Sequence, residues 1–159
     1  MVTDQQPGDA PHVNLSAAPL GLPDQWPPIW FTLAEYDWRS LVLVPGQRTA
    51  SASSSARALG AVGDAYEEHG VRVIEAEQAT PESVREVIRL LAERNSAGER
   101  TIVAVSSPML DVSAIPIARA VDVAVLVVPL GTTVLRDARR VLQLIGRDRF
   151  IGSIAIRTS

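Results

Sequence analysis

Five short apolar runs recur after residue 40, and stretches with helical spacing separate them. Ser40 to Val44 closes on Pro45-Gly46, which reads as a buried strand followed by a turn. Ser51 to His69 is Ala-rich, with Leu59, Val62 and Tyr66 at helical spacing and Gly70 placed as the stop. Val71 to Ile74 reads as a second strand. Thr80-Pro81 supplies an N-cap and a first-turn proline, and Val84, Val87, Ile88 and Leu91 then follow the i, i+3, i+4, i+7 stripe of an amphipathic helix. Thr101 to Val105 and Val121 to Val128 lack polar alternation, as central parallel strands covered on both faces do. Thr133 opens a last helix with Val134, Ala138, Val141, Leu142 and Ile145 inward, Gly146 ends it, and Phe150 to Ile156 is the last strand. This alternation predicts an α/β fold: a doubly wound, mostly parallel sheet of about five to seven strands with helices on both faces.

Residues 1–28 break the pattern. They hold Pro7, Pro11, Pro19, Pro23, Pro27 and Pro28 with no period of 2 or 3.6, so a flexible tail is expected there, ahead of a single domain over 29–159. A chain of 159 residues, 47% hydrophobic, is long enough for one full core. Trp26, Trp30, Phe31, Tyr36 and Trp38 cluster in one short segment and are five of the seven aromatic residues. Such a cluster either covers one side of the sheet or forms a partner-docking surface, since aromatics dominate interface hot spots.

Charge and composition then narrow the chemistry. A net charge of -3 and a pI near 5.4 give no basic footprint for nucleic acid. The chain has no cysteine, which removes thiolate nucleophiles and Cys-based metal sites. His12 and His69 lie too far apart in sequence to suggest a metal pair, and no metal or cofactor is expected. All fifteen basic residues are arginine, so Schiff-base and phosphate-loop lysines are both impossible. No apolar run is long enough to span a bilayer, and the acidic start is unlike a signal peptide; a cytoplasmic protein is the expectation.

In open α/β sheets, function is read in the loops after the strands. Val44-Pro45-Gly46-Gln47-Arg48-Thr49 resembles the phosphate loop of bacterial polysaccharide-biosynthesis tyrosine autokinases and their MinD/ParA-like relatives. Arg72 to Glu77 is similar to that family's strand ending in two aspartates. Ile102 to Leu110, with Ser106, Ser107 and Pro108, resembles its next strand and turn. Val121 to Val128 with Thr132, Thr133 and Asp137 is similar to its following strand and helix start. The resemblance implies a P-loop NTPase-like fold, and a vestigial nucleotide face made of Pro45, Gly46, Gln47, Arg48, Thr49, Glu75, Glu77, Ser106, Ser107 and Pro108.

The departures fall on the residues that carry the chemistry. A phosphate loop wraps phosphates with backbone N–H groups, a lysine and a metal-binding hydroxyl. Here Arg48 stands where the second loop glycine would be, Thr49 at the lysine and Ala50 at the hydroxyl. Val105 replaces the aspartate that would hold magnesium, and Ile156 the base-contacting asparagine. Tyr36 and Tyr66, the only tyrosines, form no phosphorylated tail cluster, and Glu35 with Arg39 only faintly echoes the family's oligomer motif. The expectation is a catalytically silent scaffold or regulator without cofactor. By resemblance it would contact a membrane-embedded component of exopolysaccharide assembly. Two alternatives stay open: a divergent ATP-binding enzyme using Arg48, Thr49 and Glu75, and a MinD/ParA-like adaptor unrelated to polysaccharide. Arg136, Arg139 and Arg140 form a basic patch that is either a solvated helix face or a site for an acidic partner.

Overall fold

The computed structural model describes residues 13–17, as backbone, and 26–157. Apolar runs buried on both sides set the architecture. Strand β2 (Ser40–Pro45) is buried at every position, and β4 (Arg100–Val105) and β5 (Val123–Leu130) nearly so. With β3 (Val71–Ala76), β6 (Phe150–Arg157) and β1 (Val13–Ala17) they form one parallel sheet in the order β1-β6-β5-β2-β4-β3. β2 lies at the centre between β4 and β5. The chain therefore winds outward from β2 in both directions, and the expected α/β fold is present.

Alternate residues of the central strands feed two cores. Leu41, Leu43, Ile102, Ala104, Val125 and Val127 pack under α1 (Trp26–Ala34) and α2 (Ser53–Tyr66). Val42, Val44, Val103, Val105, Ala124 and Leu126 pack under α3 (Pro81–Ala97), α4 (Ala114–Ala120) and α5 (Leu135–Ile145). Period-2 burial on a sheet with two covers makes every position apolar, which is why these strands show no polar alternation. Helix α3 starts as the sequence predicts: Thr80 accepts from the Ser83 N–H, the Ser83 side chain accepts from the Thr80 N–H, and Pro81 fills the first turn. At the amino end, Asp122 Oδ2 accepts from the Arg39 N–H (2.7 Å) and the Ser40 N–H (3.1 Å), tying the start of β5 to β2.

The structure departs from expectation in four places. The stretch expected as a tail over 1–28 contains β1, which pairs with β6 from Val13↔Gly152 to Ala17↔Ile156, and its end already belongs to α1. The rest of that stretch, with His12, lies outside the described residues. The aromatic segment is a helix, α1, with Trp26, Ile29, Trp30 and Leu33 buried at i, i+3, i+4 and i+7. Tyr66, placed on the inner stripe by its spacing, is 63% exposed because it sits at the last turn of α2. Val134, expected inward, is the exposed N-cap of α5, which begins two residues after Thr133.

Trp26, Trp30 and Trp38 are core residues, each at most 2% exposed, and this corrects their candidacy for a docking surface. Trp30 and Trp38 meet edge to face at 5.9 Å, the Trp38 Nε1–H donates to the Leu33 carbonyl at 2.8 Å, and the Arg100 guanidinium lies 4.5 Å from the Trp38 ring centroid. These large, polar-tipped rings bury their area while satisfying the Trp38 N–H. Tyr36 is half-buried against the same core, and only Phe31 of the five is exposed, its ring against Tyr66 at 4.9 Å.

Candidate functional site

The loops that follow β2, β3, β4 and β5 share the carboxyl rim of the sheet, and hydrogen bonds join them in series. The Thr132 hydroxyl donates to Gln47 Oε1 at 3.0 Å, linking the β5 loop to the β2 loop. The Ser51 hydroxyl donates to Glu77 Oε1 at 2.8 Å, and the Ser53 hydroxyl donates to the same oxygen, linking the start of α2 to the end of β3. The Gln78 N–H donates to Ser106 Oγ at 3.1 Å, linking the β3 loop to the β4 loop. Gln78 has φ 56, in the left-handed region, so that bond holds a backbone shape uncommon for a non-glycine residue.

Three amides of the β2 loop and the start of α2 are engaged internally. The Gly46 N–H donates to the Val127 carbonyl at 2.8 Å, the Ala50 N–H to the Gln47 carbonyl at 3.2 Å and the Ser53 N–H to Ser51 Oγ at 3.2 Å. An anion-cradling nest needs successive N–H groups free and convergent. Here the Gly46 amide extends the sheet, and those of Ala50 and Ser53 close turns. Gly46 has no positive φ, and a Cβ there would meet its neighbours at an ordinary 3.5 Å, so the position does not demand glycine. Pro45 is the last residue of β2, while Arg48 and Thr49 are exposed.

The two acidic residues at the end of β3 turn onto α2. Glu75 pairs with Arg57, and Glu77 takes the Ser51 and Ser53 hydroxyls. A helix start carries partial positive charge and unpaired N–H groups, so a carboxylate is favoured beside it. Glu77 thus sets a carboxylate beside the start of α2, bonded to the Ser51 and Ser53 hydroxyls. Ser106, Ser107 and Pro108 are buried, and Ser107 builds the turn: its carbonyl accepts from the Leu110 and Asp111 N–H groups at 2.9 Å. Val105 is fully buried in the second core and Ile156 in the first. Among the described residues, no three His, Asp or Glu side chains gather as a metal site, and no helix is long and apolar enough to cross a membrane.

Of the residues singled out from sequence, Gln47 bonds Thr132, Glu77 bonds Ser51 and Ser53, Ser106 bonds the Gln78 N–H, and Arg48 and Thr49 lie in solvent. Exposed apolar side chains in the same rim were missed: Leu110 and Val112 after β4, Leu130 at the end of β5, Val134 before α5 and Leu135 at its start. No protein-family model matches the chain, and no curated protein matches it in sequence.

Proposed function

We propose that this chain is a nucleotide-type α/β domain without phosphoryl-transfer chemistry, acting as a scaffold or regulator through contacts with other proteins. The observation that carries the reading is the Glu77 carboxylate bound to Ser51 and Ser53 at the start of α2. Two like unit charges about 4 Å apart near a protein surface repel by about 4 kcal/mol. That amounts to roughly three powers of ten in phosphate affinity. Internal use of the Gly46, Ala50 and Ser53 amides supports the same conclusion, because phosphoryl transfer depends on positioning and charge stabilisation.

The resemblance to polysaccharide autokinases directs the search for the partner toward a membrane-embedded exopolysaccharide assembly protein. The test is magnesium-ATP turnover together with thermal unfolding. The expected result is no phosphate release above background and no change in Tm at millimolar nucleotide. A ligand at about a hundred times its Kd would add about 2.7 kcal/mol and raise Tm by several degrees. Such a rise, lost in Arg48→Ala, would favour a divergent enzyme instead.

A further inference from the structure

Helix α5 spends one stripe on the core and presents another to solvent. Ala138, Val141 and Ile145 are buried beneath it. Leu135, Arg136, Arg139, Arg140 and Gln143 line an outward groove of about 450 Å³. Leu135, Arg139 and Gln143 form one i, i+4 ridge and Arg136 with Arg140 the next, so the groove has the shape that receives a ridge from a second helix. Leu135 is 64% exposed at its mouth, with exposed Val134 beside it in sequence.

Its charge is uncompensated. Four arginines elsewhere meet carboxylates: Arg89 bonds Glu86 and Glu93, Arg94 bonds Glu99, Arg100 bonds Glu67 and Arg57 bonds Glu75, whereas α5 gathers three arginines on one outer face. On α5 the ion pair among the described residues is Arg136 with Asp137 at 3.8 Å, and Arg136 is 88% exposed. Arg139 and Arg140 have no carboxylate partner among the described residues. A net charge of -3 for the chain and a leucine at the mouth of the groove disfavour a nucleic-acid backbone as occupant. A groove between guanidinium rows suits a side chain better than a lipid surface, which favours a continuous apolar face.

We infer that the outer face of α5 docks an acidic helix of a partner protein, with carboxylates on Arg136, Arg139 and Arg140 and an apolar side chain seated against Leu135. The inference rests on the reading that the chain acts through protein contacts, and names the chemistry of one such partner. The probe is a labelled, helix-stabilised synthetic peptide with leucines along one stripe and glutamates flanking it, titrated with the full chain by fluorescence anisotropy. Saturable binding is expected, weakened at least about tenfold by the Arg139→Glu, Arg140→Glu double substitution and about threefold by Leu135→Ser. A peptide of the same composition with its leucines scattered should bind at least about tenfold more weakly.

Absence of saturable binding, or equal affinity for the scattered peptide, overturns the inference. So does an affinity indifferent to the substitutions. Capture by phosphatidylglycerol vesicles without peptide binding would assign the face to a membrane instead, and self-association abolished by the double substitution would assign it to a second copy. The substituted side chains are exposed, and circular dichroism melts verify that the variants fold. Magnesium-ATP titration of the same preparation tests the premise separately: nucleotide binding with peptide binding intact removes the non-catalytic reading alone, whereas a silent nucleotide face without peptide binding removes the docking face alone.

Discussion

The Ser51 hydroxyl donates to Glu77 Oε1 at 2.8 Å, so the residue before the first turn of α2 is held by a carboxylate from the end of β3. The Ser53 hydroxyl converges on the same oxygen. One side chain thus couples the end of β3 to the start of α2.

Replacing that carboxylate should loosen the rim without unfolding the chain. Glu77→Ala removes the acceptor of two hydroxyls at a half-buried position and is expected to cost about 1 kcal/mol in urea denaturation. Glu77→Gln keeps an acceptor oxygen and should cost less than half as much. A larger loss for Gln than for Ala would contradict the hydrogen-bonding role.

Trp30 and Trp38 anchor the first core. Trp30→Ala should destabilise by about 3–5 kcal/mol, since it empties a site 1% exposed beneath α2. Trp38→Phe keeps most of the volume but removes one hydrogen bond to the Leu33 carbonyl, which still accepts from the Tyr36 N–H, at a cost of about 1 kcal/mol. Chemical denaturation followed by tryptophan fluorescence measures both, and a neutral Trp30→Ala would contradict the burial.

At Gly63, packing decides against helix propensity. An added Cβ would stand 2.7 Å from both Trp30 and Val71 side-chain carbons. Overpacking costs about 1–3 kcal/mol, against about 1 kcal/mol gained from alanine's helix propensity. Gly63→Ala should therefore lower Tm, and a rise would show that α2 stands farther from α1 and β3 than described here.

Tyr36 links stability to alkaline pH. Burial, aided by the neighbouring Glu35 charge, raises its phenol above the ordinary tyrosine value. A raised acid holds its proton longer in the folded state. Its contribution is complete below the unfolded value of about 10 and is lost as pH rises through the folded one. Stability should fall above about pH 10, less steeply in Tyr36→Phe; equal slopes would remove Tyr36 as the cause.

Much of this fold is legible in the sequence because both-sided burial writes itself as unbroken apolar runs. Val42 and Leu43 point to opposite cores yet are equally hydrophobic. The Thr80-Pro81 start of α3 is likewise written in cap chemistry. Helix α1 was hidden by its composition: Trp26, Ile29, Trp30 and Leu33 keep helical spacing, but Pro27 and Pro28 read as tail, although prolines are tolerated in a first turn. The Glu77 contact with Ser51 was not legible, because it joins residues 26 positions apart through the packing of β3 beside α2.

Isothermal titration of the purified chain with magnesium-ATP tests the central claim most directly. No saturable heat up to millimolar nucleotide is predicted, on the reading that the Glu77 carboxylate at the start of α2 opposes a phosphate there. Saturable binding with a micromolar Kd, lost on Arg48→Ala, would contradict the account and make this rim a working nucleotide site.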